Sequence, residues 1–131
     1  MAVVWEMRDD ATRVLRKRRA FREQVSAISL PPSDLDAAEL IYGELVANTV
    51  RYAGGAIEVR LEHLDSLPPV LVVRDHGPGM RGRGVMPCDP LAESGRGLAI
   101  VEHLAQRLDV ERAEGGGTIV RATLPITARP E

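Results

Sequence analysis

With 131 residues, 44% of them hydrophobic and 27% charged, the chain is long enough to bury roughly two-thirds of its unfolded surface and has the balance of an ordinary globular domain. A formal net charge of −2 gives no overall pull toward nucleic acid. No apolar run approaches the ~20 residues of a membrane span, and the opening Met1-Ala2-Val3-Val4-Trp5-Glu6 becomes charged too soon for a secretory signal.

The one cysteine, Cys88, permits no internal disulfide and suits a reducing compartment, so a cytoplasmic location is expected. The aromatics are Trp5, Phe21, Tyr42 and Tyr52, too few for a base-stacking platform. No repeat, low-complexity tract or linker divides the chain, and a single domain over 1–131 is expected.

A short extended start leads into a predicted helix near 9–28, in which Val14, Phe21, Val25 and Ile28 recur at helical spacing. Opposite them crowd Arg13, Arg16, Lys17, Arg18, Arg19 and Arg22, which read as a solvated face or as a docking surface for an acidic partner. Pro31-Pro32 ends this helix, and Ser33 or Asp34 can cap the next, which runs to about 52. Leu35, Ala38, Ile41, Leu45 and Thr49 form its inward stripe. Two strands follow, Ala56–Leu64 alternating and Val70–Asp75 almost wholly apolar. Residues 76–94 are rich in proline and glycine and read as a long loop. A third helix begins near Gly97 and carries Leu98, Val101, Leu104 and Leu108. Two strands near 108–114 and 118–124, joined by Gly115-Gly116-Gly117, complete the pattern. Helices first, then a sheet with one late helix, predict an α+β two-layer sandwich: a mixed, mostly antiparallel sheet with helices on one face.

Four segments carry chemistry. Glu44 and Asn48 stand one helical turn apart and project from one face, with Arg51 continuing the stripe. A carboxylate and a carboxamide so placed suit a hydrated Mg²⁺, or the carboxylate can accept a proton from an attacking hydroxyl; alone, the pair is more often a simple surface contact. Asp75-His76-Gly77-Pro78-Gly79 follows a buried strand and places an acceptor at the strand end. Alone it also reads as a tight turn. The overlapping Gly77-x-Gly79-x-x-Gly82 runs into Arg83-Gly84-Val85-Met86-Pro87 and opens no helix, which argues against a dinucleotide fingerprint. Gly95-Arg96-Gly97 opens the third helix, where free N–H groups and the dipole favour phosphate, or else it is a flexible helix entry. Thr118, after Gly117, can offer a hydroxyl to a base. His63, His76 and His103 lack metal-ligand spacing, and Cys88, Met80 and Met86 fall in the long loop.

In this order, Glu44-x-x-x-Asn48, Asp75-x-Gly77-x-Gly79, Gly95-x-Gly97-Leu98 and Gly117-Thr118 resemble the signature of the GHKL (Bergerat-fold) ATPases over about residues 40–125. The resemblance implies ATP and Mg²⁺ as cofactors. It implies that Asn48 helps coordinate Mg²⁺, that Glu44 acts as general base, and that Asp75 binds the adenine amino group. It further implies that Gly77 and Gly79 hinge a lid, that Gly95, Arg96, Gly97 and Leu98 lie along the phosphates, and that Thr118 supports Asp75. Glu44–Ala53 and Gly95–Val101 most resemble the small bacterial anti-sigma-factor serine/threonine kinases. In that branch the γ-phosphate goes to a serine on a small antagonist protein, and a sigma factor is sequestered. Thr49 stands where Ala is usual there, and Tyr52 where His is common.

The partners so implied are ATP and proteins (a sigma factor, a small antagonist), with no direct nucleic acid and no membrane; a homodimer is compatible. Residues 13–22 are the expected partner or dimer surface. The sole lysine is Lys17, so no counterpart is expected for the catalytic lysine that gyrase-type relatives carry in a following domain. Transfer to a bound partner is therefore expected over vigorous hydrolysis. Three other readings stay open: a nucleotide switch without transfer, a detached histidine-kinase catalytic domain, and a basic-helix nucleic-acid binder.

Overall fold

The computed structural model of the protein describes residues 2–52, 55–76 and 95–130. Period-two alternation puts Ile57, Val59 and Leu61 on one face of strand β3 (Ala56–His63), and all three are completely buried. β3 pairs on one side with β1 (Ala2–Asp10) and on the other with β4 (Val70–Asp75), aligning Val59 with Val73 and Leu61 with Leu71. Beyond β4 lies β6 (Thr118–Thr123), and β5 (Arg107–Arg112) closes the far edge. The strand order is β1-β3-β4-β6-β5, with every described pairing antiparallel. Val120 and Ala122 carry the apolar face across β6.

The opposite face is a lattice of mixed charge, with Arg8–Glu58 at 3.6 Å, Arg60–Glu62 at 3.5 Å and Arg107–Asp109 at 2.8 Å. Val72 sits on this face yet is buried, in register between Arg60 and Arg121, whose aliphatic stems can cover it. Mixed charge spread over an open sheet face gives it good reason to stay solvated.

Among the described residues, four helices cover the apolar face: α1 (Ala11–Leu15), α2 (Arg18–Ile28), α3 (Leu35–Tyr52) and α4 (Gly95–Leu104). α3 starts where expected because the Asp34 carboxylate accepts the Ala37 N–H at 2.9 Å, satisfying one free donor of the first turn. Val14, Phe21 and Val25 meet Ile41, Tyr42 and Leu45 in one core. Within it Trp5, Phe21 and Tyr42 join β1, α2 and α3, the last two rings stacked with centroids 4.6 Å apart. The Tyr42 hydroxyl donates to the Val14 carbonyl at 2.6 Å, so the ring is buried without stranding its polar tip.

The helix expected over 9–28 divides. Pairing of Asp10 with Ala56 holds the chain extended through Asp10, and Arg16 and Lys17 donate to Arg13 and Val14 in a tight turn that separates α1 from α2. The third helix starts at Gly95 and stops at Leu104, leaving Leu108 to β5. A two-stranded ladder, β2 (Ser29–Leu30) with β7 (Thr127–Ala128), ties the end of α2 to the tail. The α+β sandwich with helices on one face is the observed architecture. Among the described residues no helix is long and apolar enough to cross a membrane.

Candidate functional site at one end of the sandwich

Among the described residues the buried polar side chains are Asn48, Thr49, Glu62, His63, Asp75 and Thr118. Thr49 is accounted for by its hydroxyl, which donates to the Val46 carbonyl at 2.7 Å inside α3. Glu62 and His63 lie at the far end of β3, where Glu62 faces Arg60. Asn48, Asp75 and Thr118 remain, and all three were singled out from sequence.

The topology brings these three to one end. Asp75 is the last residue of β4 and pairs with Ile57 at the beginning of β3. Arg74 pairs with Ile119, so the same register carried one residue further sets Asp75 across from Thr118, the first residue of β6. Both alternate onto the face that carries Val73 and Val120, toward the helices. Asn48 lies in the last turns of α3, whose end leads within a few residues to the start of β3. α4 packs on α3, and its first residue, Gly95, stands at the same end, since its last leads to β5 at the opposite one.

Asn48 is 7% exposed, and its Oδ1 has no hydrogen-bond partner among the described residues. A buried carboxamide oxygen left unpaired costs about 1–3 kcal/mol, so an absent oxygen-seeking partner is a physical reason for its retention. His63 Nε2 and Arg74 Nε share this condition. Asn48 differs in its place: it faces the end where α4 begins, whose free N–H groups and dipole favour anions. Oxygen donors such as Oδ1 suit a Mg²⁺ that keeps most of its shell from water and phosphate. Among the described residues no three His, Cys, Asp or Glu side chains converge on one point, and a Mg²⁺ completed by phosphates does not need them to.

Gly117 adds a constraint that spacing alone does not reveal. Its φ is +87°, and a β-carbon there would come within 2.1 Å of the Asp75 carbonyl oxygen and 3.1 Å of the His76 Cα. The backbone leaving β4 crosses directly against Gly117, so this glycine lets Asp75 and Thr118 stand side by side.

Glu44 is half-buried on α3, one turn before Asn48, and lines a groove that α3 forms with α1 and α2. Arg51 is exposed. Gly95, Arg96 and Gly97 form the first turn of α4, and Leu98 is buried in the hydrophobic core. Gly77 and Gly79 lie outside the described residues, as do Met80, Met86 and Cys88. His76 is exposed, 3.6 Å from Glu58 across the outer face, and His103 is exposed on α4. The groove beside Glu44 was missed from sequence; the glycine at 43, facing the basic stretch, is the only hint of it.

Comparison with known proteins agrees with this architecture. The family model described as a histidine kinase-like ATPase domain matches residues 7–124. Among solved structures the chain is similar to the mycobacterial sensor histidine kinase MprB, with a TM-score of 0.57 and 22% identity over 97% of this chain and 100% of that one. It is also similar to the histidine kinase AdeS of Acinetobacter baumannii, with a TM-score of 0.51 and 18% identity over 95% of this chain and 69% of that one. No curated protein sequence matches the chain. At such identities the two structures establish a shared fold.

Proposed function

The chain belongs to the histidine kinase-like ATPase family, and on that premise we propose that it binds Mg-ATP at the α3–α4 end of the sandwich and transfers the γ-phosphate to a serine or threonine of a partner protein. The observation that carries the binding half is the buried Oδ1 of Asn48, unpartnered among the described residues, at the end where Asp75, Thr118 and the first turn of α4 meet.

In this reading Asp75 accepts the adenine amino N–H, and Thr118 flanks it at the base. The first turn of α4, Gly95 to Gly97, offers its N–H groups to the phosphates, with Arg96 adding charge, and Leu98 anchors the turn in the core. Gly77 and Gly79 hinge the segment that closes over the nucleotide. Asn48 holds Mg²⁺, which when bound neutralises charge on the transferring group. Glu44 accepts the proton of the acceptor hydroxyl while a new O–P bond forms and the β–γ P–O bond breaks, leaving ADP. Its half-buried place on a groove wall supports this role, since a base must be reachable by a second protein. Residues 1–131 act as one nucleotide-binding unit in this account. Likeness of Glu44–Ala53 and Gly95–Val101 to the anti-sigma kinases favours a serine on a small sigma-factor antagonist as the acceptor.

Labelling with γ-labelled ATP and a heat-treated extract of the source cells tests the transfer. The expected product is an acid-stable phosphoprotein band, as for a hydroxyl ester, whose formation falls roughly 10²–10⁴-fold in Glu44→Gln while ATP affinity stays near wild type. Label that is acid-labile, as on histidine, or equally strong with the Gln variant, contradicts the proposal.

A further inference from the structure

The basic stretch after β1 is not a uniform charged surface. Arg13 is paired with Asp9 at 3.1 Å, and Arg22 with Asp36 at 2.5 Å and Glu39 at 3.5 Å. Between them Arg16, Arg18 and Arg19 are exposed and make no ion pair among the described residues. These three arginines rim the groove of about 650 Å³ that reaches Glu44.

The groove has a direction. Its α3 wall is Glu39 and Leu40, then Gly43 and Glu44, then Ala47: successive turns along one helix face, ending beside Asn48. At 1.5 Å per residue this wall is ~12 Å long, about four residues of extended chain. Its floor is apolar where Leu15, Leu40 and Ala47 contribute, and Leu40 is 42% exposed. Gly43 is part of the construction. A β-carbon there would lie 3.2 Å from Arg18 Cδ and 3.5 Å from Nη1, so the missing side chain lets Arg18 lie across α3.

We propose that this groove is the docking channel for an extended acidic segment of the phosphoacceptor protein, one that alternates carboxylates with leucine-like side chains. The carboxylates meet Arg16, Arg18 and Arg19, the apolar side chains cover Leu15, Leu40 and Ala47, and the hydroxyl arrives at Glu44. The unpaired cations give the channel its charge preference. A nucleic-acid strand fits it worse, because among the described residues no aromatic ring lines it to stack a base, and the apolar surface of Leu15, Leu40 and Ala47 has no counterpart in a sugar-phosphate chain. The inference rests on the proposed transfer role of Glu44.

The test uses an eight-residue synthetic peptide of alternating glutamate and leucine with one central serine, titrated into the ¹⁵N-labelled full chain at low salt. Amide shifts at Arg16, Arg18, Arg19, Gly43 and Glu44 are expected, with roughly tenfold or greater weakening in the double variant R16E/R19E and further weakening by salt. ATP affinity is measured on the same samples. Wild-type ATP affinity in R16E/R19E shows that the variant is folded, so loss of the peptide then supports the channel. Equal peptide affinity in R16E/R19E, shifts confined to the open sheet face, or equal binding of a lysine-for-glutamate peptide overturns the channel while leaving the nucleotide site intact. Stronger binding of a single-stranded oligonucleotide than of the acidic peptide at the same residues also overturns it. Failure of the wild type to bind ATP overturns the underlying functional reading, whatever the peptide does.

Discussion

Two buried residues with opposite fates define the residue scale. Tyr42 is buried but satisfied by the Val14 carbonyl, and burial holds its phenol well above the ordinary value of 10.0. A group kept neutral in the fold while the unfolded chain ionises contributes stability that is complete below pH 10 and lost as pH rises further. Unfolding followed from pH 8 to 11 should therefore show this contribution held up to about pH 10 and lost above it, and Tyr42→Phe should flatten that fall while costing about 1 kcal/mol at neutral pH. An unchanged alkaline slope in the variant would mean that Tyr42 is not its source. The Asn48 Oδ1 has no such partner among the described residues, and unlike His63 and Arg74, which share this condition, Asn48 lies at the end where α4 begins. Sequence spacing singled out Asn48, Asp75 and Thr118 because each sits at an element end with a recognisable neighbour. It could not reveal that the Asn48 Oδ1 lacks a partner among the described residues, which depends on what surrounds it in three dimensions.

At the scale of elements, local chemistry was legible and non-local pairing was not. The Asp34 cap and the stripe of Ile41 and Leu45 mark α3 within the sequence itself. The break between α1 and α2 left no such mark, because Arg16, Lys17 and Arg18 are all good helix formers. It is visible only in the turn itself, where Arg16 and Lys17 donate to Arg13 and Val14, while the late start of α1 follows from β1, whose pairing with β3 reaches Asp10. The two-residue strands β2 and β7 depend on partners nearly a hundred positions apart, which no periodicity reports. The junction of β4 and β6 depends on Gly117 in the same non-local way. Gly117→Ala combines an unfavourable positive φ with a clash against the Asp75 backbone, and should destabilise by about 2 kcal/mol or more. Denaturant unfolding checks this; a loss under about 0.5 kcal/mol, the range of neutral surface changes, would show that the backbone there is free to move.

For the whole molecule, the sandwich separates stability from function. The aromatic cluster and the aliphatic core fill the middle, while the polar residues of the candidate site gather at the end where α3 finishes and α4 begins. That segregation explains why fold class was readable from sequence: helical and alternating patterns report the core directly. The strand order β1-β3-β4-β6-β5 was not readable, yet it is what brings Thr118 next to Asp75. The groove by Glu44 is likewise a product of assembly, made by α1 and α2 packing on α3.

We propose that this end of the molecule is a Mg-ATP site organised around Asn48. Calorimetric titration of the full chain with ATP, with and without Mg²⁺, alongside Asn48→Ala, tests it most directly. Metal-dependent binding in the micromolar range is expected, weakened roughly tenfold or more in the alanine variant, whose melting temperature is not lowered. Absence of binding at millimolar ATP, or equal affinity in Asn48→Ala, would contradict it.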